Sequence, residues 1–221
     1  MRVPPQNLIF LGLLLGLVLV LIQLGLLSVA FAKLGLSQNS AFLLLALSLL
    51  GSWVNLPLFT ISGGPVEPAP KLPPPLDAIF RLPRRLVPGR VLIALNVGGG
   101  VVPIAFSAYL FRFHALPLTD VALGVIGVAA VSHLLSRPVP GVGIGLPILA
   151  APVTAAILAV LIHPDNPAPV AYIAGTVGVL VGADILRLKD IRHMGSPLAS
   201  IGGAGTFDGI FITGLVAVLL T

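Results

Sequence analysis

The chain contains no cysteine. That excludes disulfides, thiol nucleophiles and Cys-ligated zinc or iron–sulfur centres. Charge is almost as scarce. Charged residues make up 9% of the chain, against about 25% in soluble domains. So few charges cannot cover a surface facing water, which leaves lipid as much of the solvent. What is present in quantity is apolar: 57% of residues are hydrophobic and the mean hydropathy is +1.12. The 25 glycines and 21 prolines lie between and inside apolar runs, as transmembrane helices tolerate. The formal charge of +5 comes from basic residues in loops. Membrane topology explains their placement, and nucleic acid is not expected as a partner.

Hydropathy predicts an all-α polytopic bundle of about seven spans in one domain over residues 1–221. The first run, Leu8 to Ala32, is long enough for a ~30 Å hydrocarbon core with some tilt. It is too long for a signal-peptide core of about 7–15 residues, despite the Ala30-Phe31-Ala32 pattern. Ala41 to Ile61 follows, with Asn55-Leu-Pro57 near its end. A Pro-rich basic loop over 62–89 carries Lys71, Arg81, Arg84 and Arg85, and its Leu76 to Leu86 stretch fits a short interfacial helix. Val91 to Phe111 contains Asn96-Val-Gly-Gly-Gly100-Val-Val-Pro103. Three glycines and a proline predict unwound backbone there, which must be buried in protein or line a cavity. Leu118 to Leu135, Leu146 to Ile162 and Pro169 to Leu188 are the next spans, with a turn or re-entrant connection over Ser136 to Gly145. Gly209 to Thr221 would reach only about 20 Å, so the last span is placed from about Gly202.

With seven spans, one side carries Arg2, Lys71, Arg81, Arg84, Arg85, Arg90, Arg137, Arg187, Lys189 and Arg192, and the other only Lys33 and Arg112. The positive-inside rule then puts the N-terminus in the cytoplasm and the C-terminus outside, in a cell inner membrane. Trp53, Tyr109 and Tyr172 fall near span ends, as belt residues do. Gly12-x-x-x-Gly16 fits small-residue helix contacts.

Two acids dominate the functional reading. Asp184 and Asp208 are expected at similar depth, roughly 6 and 9 Å inside the membrane from one side. An intramembrane carboxylate is a functional hypothesis by default. Two close carboxylates share one proton, so one serves as base for water and the other as acid for the leaving group. Gly202, Gly203, Gly205 and Gly209 would let an extended substrate approach. The competing readings are plainer: Asp184 pairs with Arg187 at i, i+3, and Asp208 caps a helix starting at Gly209.

The segment Gly205-Thr-Phe-Asp208-Gly-Ile-Phe-Ile resembles the Gly-x-Gly-Asp segment of intramembrane aspartyl proteases, the presenilin, signal-peptide-peptidase and prepilin-peptidase group. The resemblance implies a hydrolase with a peptide or membrane-protein substrate, and a second catalytic aspartate on the preceding helix, which maps to Asp184. Phe207 stands where the family has glycine, Asp184 follows Gly-Ala, and no Pro-Ala-Leu follows before Thr221. The chain as a whole is also similar to a family of prokaryotic integral membrane proteins from which no activity carries over.

The helix breaks support another reading, a small secondary transporter or ion-coupled carrier. Asn96 would bind substrate or ion, Asp184 and Asp208 would carry protons, and a homo-oligomer would supply the missing half. His114, His133, His163 and His193 share no metal-ligand spacing, so neither a metal nor a cofactor is expected. His133 is placed to approach the aspartates. A third reading is an assembly subunit whose basic loop meets a partner or anionic lipid.

Overall fold

The computed structural model describes residues 25–63, 90–139, 143–193, 198–203 and 209–221. The basic loop, its expected interfacial helix, most of the first run with Gly12 and Gly16, and residues 204–208 lie outside the described residues.

Helix α1 (Gly25–Lys33) turns through 108° into α2 (Gln38–Gly51). Ser37 caps α2, its hydroxyl accepting from the Ser40 N–H at 3.2 Å, which satisfies one of the orphan donors of the first turn. Strand β1 (Asn55–Ser62) then pairs antiparallel with β2 (Arg90–Asn96). The chain passes from β2 directly into α3 (Val97–Phe113), whose first turn, Val97–Val101, is a π turn. Helix α4 (Leu118–Leu135) leads into a small hairpin of β3 (Arg137–Val139) and β4 (Gly143–Gly145). Helix α5 (Ala150–Ile162) precedes α6 (Pro167–Ile185), which ends in a π turn over Leu180–Ile185. A short 3-10 turn (Asp190–His193) and β5 (Leu198–Ile201) come before α7 (Gly209–Leu220). Strand β5 runs parallel to β2, giving a three-stranded sheet of order β1-β2-β5.

The all-α, seven-span expectation is therefore corrected. The chain is mostly helical but carries a small sheet. Among the described residues, α4 and α6 are long and apolar enough to cross a membrane, or three spans if the bent α1–α2 pair counts as one. That agrees with a membrane protein. The second and third expected spans each divide into helix and strand. The strand segments share a physical signature. Asn-Leu-Pro opens β1, and Pro57 is tolerated because β1 is an edge strand with a bulge between Pro57 and Phe59. Pairing satisfies the backbone N–H and C=O groups that an apolar medium would leave orphaned. The last described helix, α7, begins at Gly209, and most of the stretch between it and the expected start near Gly202 lies outside the described residues.

Helix α6 is the centre of the bundle. Its span window is 78% buried, against 28% for α4, so α6 is wrapped by protein while α4 keeps one face outward. Helices α3, α4, α5 and α7 all pack on α6. Its buried positions include Ala168, Ala171, Ala174, Gly175 and Gly178, small residues that let helix backbones approach. The larger exceptions are informative. Tyr172 is fully buried, correcting its expected place in an interfacial belt. Its ring meets Phe106 edge-on at 4.9 Å and Phe211 at 6.5 Å. Trp53, by contrast, is 78% exposed.

The bundle has two chemically distinct ends. At one, His163 pairs with Asp120 at 3.0 Å, His114 meets Asn166 at 3.3 Å and the Leu34 carbonyl at 3.3 Å, and Lys33 Nζ donates to the Val218 carbonyl at 3.3 Å. At the other, Arg187 joins the ends of α4 and α6. Near this second end, Asp184 in the π turn of α6 meets Gly202 just beyond β5.

Candidate functional site

The site is built from two breaks that meet. The first is the passage from β2 into α3. Asn96 closes β2 and is fully buried. Its Oδ1 accepts from the Gly99 N–H at 2.8 Å, capping the π turn. Its Nδ2 donates to the Ser52 carbonyl at 2.7 Å and to Asn55 Oδ1 at 3.1 Å. Ser48 Oγ donates to the Gly98 carbonyl at 2.7 Å. The glycines permit this packing. A Cβ on Gly98 would stand 1.9 Å from the Ser48 carbonyl oxygen and 2.4 Å from the Ser52 nitrogen, far inside contact distance. The end of α2 thus lies directly on the backbone of the break.

The second break follows β5. Gly202 and Gly203 have φ of +80° and +98°, which glycine alone adopts without strain. Gly202 is also pressed against the first break, since a Cβ there would be 2.6 Å from the Gly100 nitrogen. Its own N–H donates to Asp184 Oδ2 at 2.9 Å. A charge-assisted bond of this kind from a backbone amide stabilises a carboxylate. Asp184 is partly buried and lies in the π turn of α6, where Leu186 N–H reaches back to the Val181 carbonyl at 2.9 Å. Such a turn adds a residue to the helix and re-aims the side chains around it, often at functional sites.

The surroundings of Asp184 differ from the simple ion pair that i, i+3 spacing suggests. Arg187 directs its guanidinium elsewhere. Its Nη1 donates to Asp190 Oδ2 at 2.9 Å, its Nε to Ser136 Oγ at 3.1 Å, and its Nη2 to the carbonyls of His133 at 2.7 Å and Ser136 at 2.8 Å. Arg187 is therefore a C-terminal cap for α4. His133 does approach this region, with Nδ1 3.3 Å from the Gly182 carbonyl, two residues before Asp184.

Of the expected site residues, the structure brings Asp184 next to Gly202 and its neighbour Gly203. Gly209 is the first residue of α7. Asp208 and Gly205 lie outside the described residues. Asn96 is close in the fold, linked to Asp184 through Gly99, Gly100 and Gly202, but its amide is occupied by internal partners and acts as a cap. Sequence reasoning did not single out Ser48, Ser52 and Ser200. Ser200 Oγ donates to Asn55 Oδ1 at 2.5 Å. Serines one turn apart before an Asn-x-Pro break are the available signal, and it is too common to be read alone. No group of three or more His, Asp or Glu side chains suited to a metal occurs among the described residues.

The fold and site define a membrane-type helical bundle with a small sheet, in which β2 runs into the π turn that opens α3 and Asp184, in the π turn that closes α6, holds the Gly202 N–H just beyond β5. The chain belongs to the family described as "Protein of unknown function (DUF1614)", whose model matches residues 49–220. That match runs from the end of α2 to α7 and includes Asn96, Asp184 and Asp208. No curated protein and no solved structure matches the chain.

Proposed function

We propose that this protein is an aspartyl-type hydrolase of membrane-embedded peptide segments, with Asp184 and Asp208 as its two carboxyl groups. The observation that carries the reading is the bond between Asp184 Oδ2 and the Gly202 N–H. It sets Asp184 at the start of the glycine-rich segment that leads through Asp208 into α7. One shared proton would divide the roles. The ionised carboxylate takes a proton from water as its oxygen attacks the amide carbon. The protonated partner gives its proton to the departing nitrogen. A second feature supports a peptide substrate. Strand β5 lies at the sheet edge immediately before this segment, and an edge strand can hold an extended chain by main-chain hydrogen bonds. Basic residues at the Arg187 end fit a cytoplasmic orientation of the site in an inner membrane.

The test uses protein reconstituted in liposomes and a photoreactive peptide probe with a hydroxyl isostere at the scissile bond, a mimic of the tetrahedral intermediate. Wild-type protein is expected to be labelled, and Asp184→Asn and Asp208→Asn proteins are not. Equal labelling of all three would remove the hydrolase reading. The alternative, a small ion-coupled carrier, rests on the π turns that open α3 and close α6 and on the positive-φ break at Gly202 and Gly203. It loses Asn96 as a ligand, since that amide is already filled, and so depends on the acids alone. It is tested by proton flux in the same liposomes, expected to collapse in Asp208→Asn protein.

A further inference from the structure

We infer that the Arg187 end of the bundle holds a specific site for an anionic phospholipid, formed by Arg137, Lys189 and Arg192 around the junction of α4 and α6. Arg187 makes this junction rigid by bonding the carbonyls of His133 and Ser136. Arg137 directly follows Ser136, and Lys189 is two residues beyond Arg187. The guanidinium contact therefore joins the two chain segments that carry Arg137 and Lys189, 52 positions apart in sequence, at one junction. Arg192 follows one turn later in the 3-10 turn.

The charges of the cluster do not cancel. Asp190, its nearest acid in sequence, is taken by Arg187 at 2.9 Å. Asp184 is held by the Gly202 N–H. Arg137, Lys189 and Arg192 are exposed and enter no ion pair among the described residues. Among the described residues they present net positive charge with no acidic partner.

The apolar neighbours identify the occupant. Leu134 is 77% exposed and Leu186 53% exposed, with Leu135 and Ile185 exposed beside them. Each lies within a few residues of a cation. This junction of bare aliphatic side chains and unpaired cations fits the boundary between acyl chains and headgroups, where basic side chains snorkel to phosphate. A soluble anion would leave the leucines in water, and nucleic acid would use aromatic or polar surface where leucine stands. The inference does not rest on the hydrolase reading. It places lipid chemistry at the end of the helix that carries Asp184, one turn beyond it.

The test is binding of fluorescent phosphatidylglycerol to the full-length protein in neutral detergent micelles, with labelled phosphatidylcholine and unlabelled inorganic phosphate as comparisons. Phosphatidylglycerol is expected to bind more tightly than phosphatidylcholine, with affinity falling as salt rises. Each cation near an anionic surface is worth about five-fold in affinity, so R137Q/K189Q/R192Q is expected to bind on the order of a hundred-fold more weakly. The charge-preserving R137K/R192K protein is expected to retain binding. Unchanged affinity in the triple variant, equal binding of the two lipids, or displacement by millimolar phosphate would each overturn the site. If the triple variant does not fold, the three single glutamine variants decide it. About a five-fold loss in each supports the site, and no loss in any of them overturns it.

Discussion

Asn96 Nδ2 donates to Asn55 Oδ1 at 3.1 Å, and the same oxygen accepts from Ser200 Oγ at 2.5 Å. One carboxamide oxygen on β1 therefore ties β2 and β5 together at the end where β2 enters the π turn of α3 and β5 reaches Gly202. Asn55 and Asn96 are also directly opposed in the β1–β2 register. The bonds continue from Asn96 to Gly99 and, through the packing of Gly202 on Gly100, to Asp184. The carboxylate is thus held at the end of a polar chain that begins on the opposite edge strand.

Removing Asn96 should damage the whole junction. Asn96→Ala orphans the Gly99 N–H and the Ser52 carbonyl in a fully buried setting, at about 1–3 kcal/mol for each group. Asn96→Asp keeps the acceptor for Gly99 but sets a carboxylate against two oxygens. Both variants are expected to unfold well below wild type in thermal scans in detergent, with Asp at least as damaging as Ala. A wild-type midpoint in either would show that the cap carries no stability.

Gly98 gives a sharper contrast. Alanine there would place a methyl group 1.9 Å from the Ser48 carbonyl oxygen, and neither backbone can yield without breaking the α2 contact. Gly98→Ala is expected to abolish accumulation of folded protein in the membrane fraction. Gly25, on α1, has no described residue within 4 Å of the same position. Gly25→Ala should accumulate normally and gain up to about 1 kcal/mol from helix propensity.

Much of this architecture is legible in the residues. Leu118 to Leu135 is both the expected span and the observed helix α4, and the π turn at Val97–Val101 coincides with the Gly-Gly-Gly break. The sheet was not legible. Arg90-Val-Leu-Ile-Ala-Leu-Asn96 is a short apolar run with no polar period, and hydropathy cannot tell a buried strand from part of a buried helix in such a run. The Asn55-Leu-Pro57 signal marked a break but not what followed it. Arg187 illustrates a different limit. Its spacing from Asp184 suits an ion pair, yet the α4 carbonyls, from residues about 50 positions earlier, compete for the guanidinium and win. Only the tertiary packing of α4 on α6 reveals that competition.

That competition makes Arg187 a structural residue with a clear test. Lysine keeps the charge but not the planar fork that reaches Asp190, Ser136 and two carbonyls at once. Arg187→Lys is expected to cost on the order of 2 kcal/mol. It should also raise hydrogen exchange selectively at the end of α4 and in the β3–β4 hairpin. If exchange there matches wild type, Arg187 does not cap α4 in solution.

Asp184 allows the scaffold and chemical roles to be separated in one residue. Asparagine retains an oxygen that can accept from the Gly202 N–H, so Asp184→Asn should leave the stability within about 1 kcal/mol of wild type. It cannot take or share a proton, so peptide hydrolysis should fall by on the order of 10²–10⁴-fold, the share usually carried by one positioned acid–base group. Asp184→Ala removes the acceptor as well and should lose both stability and activity. A purely structural carboxylate predicts a different pattern, in which asparagine behaves as wild type in every assay and only alanine fails. Stability and isostere labelling measured on the same three proteins therefore distinguish a residue that holds Gly202 from one that also reacts beside it.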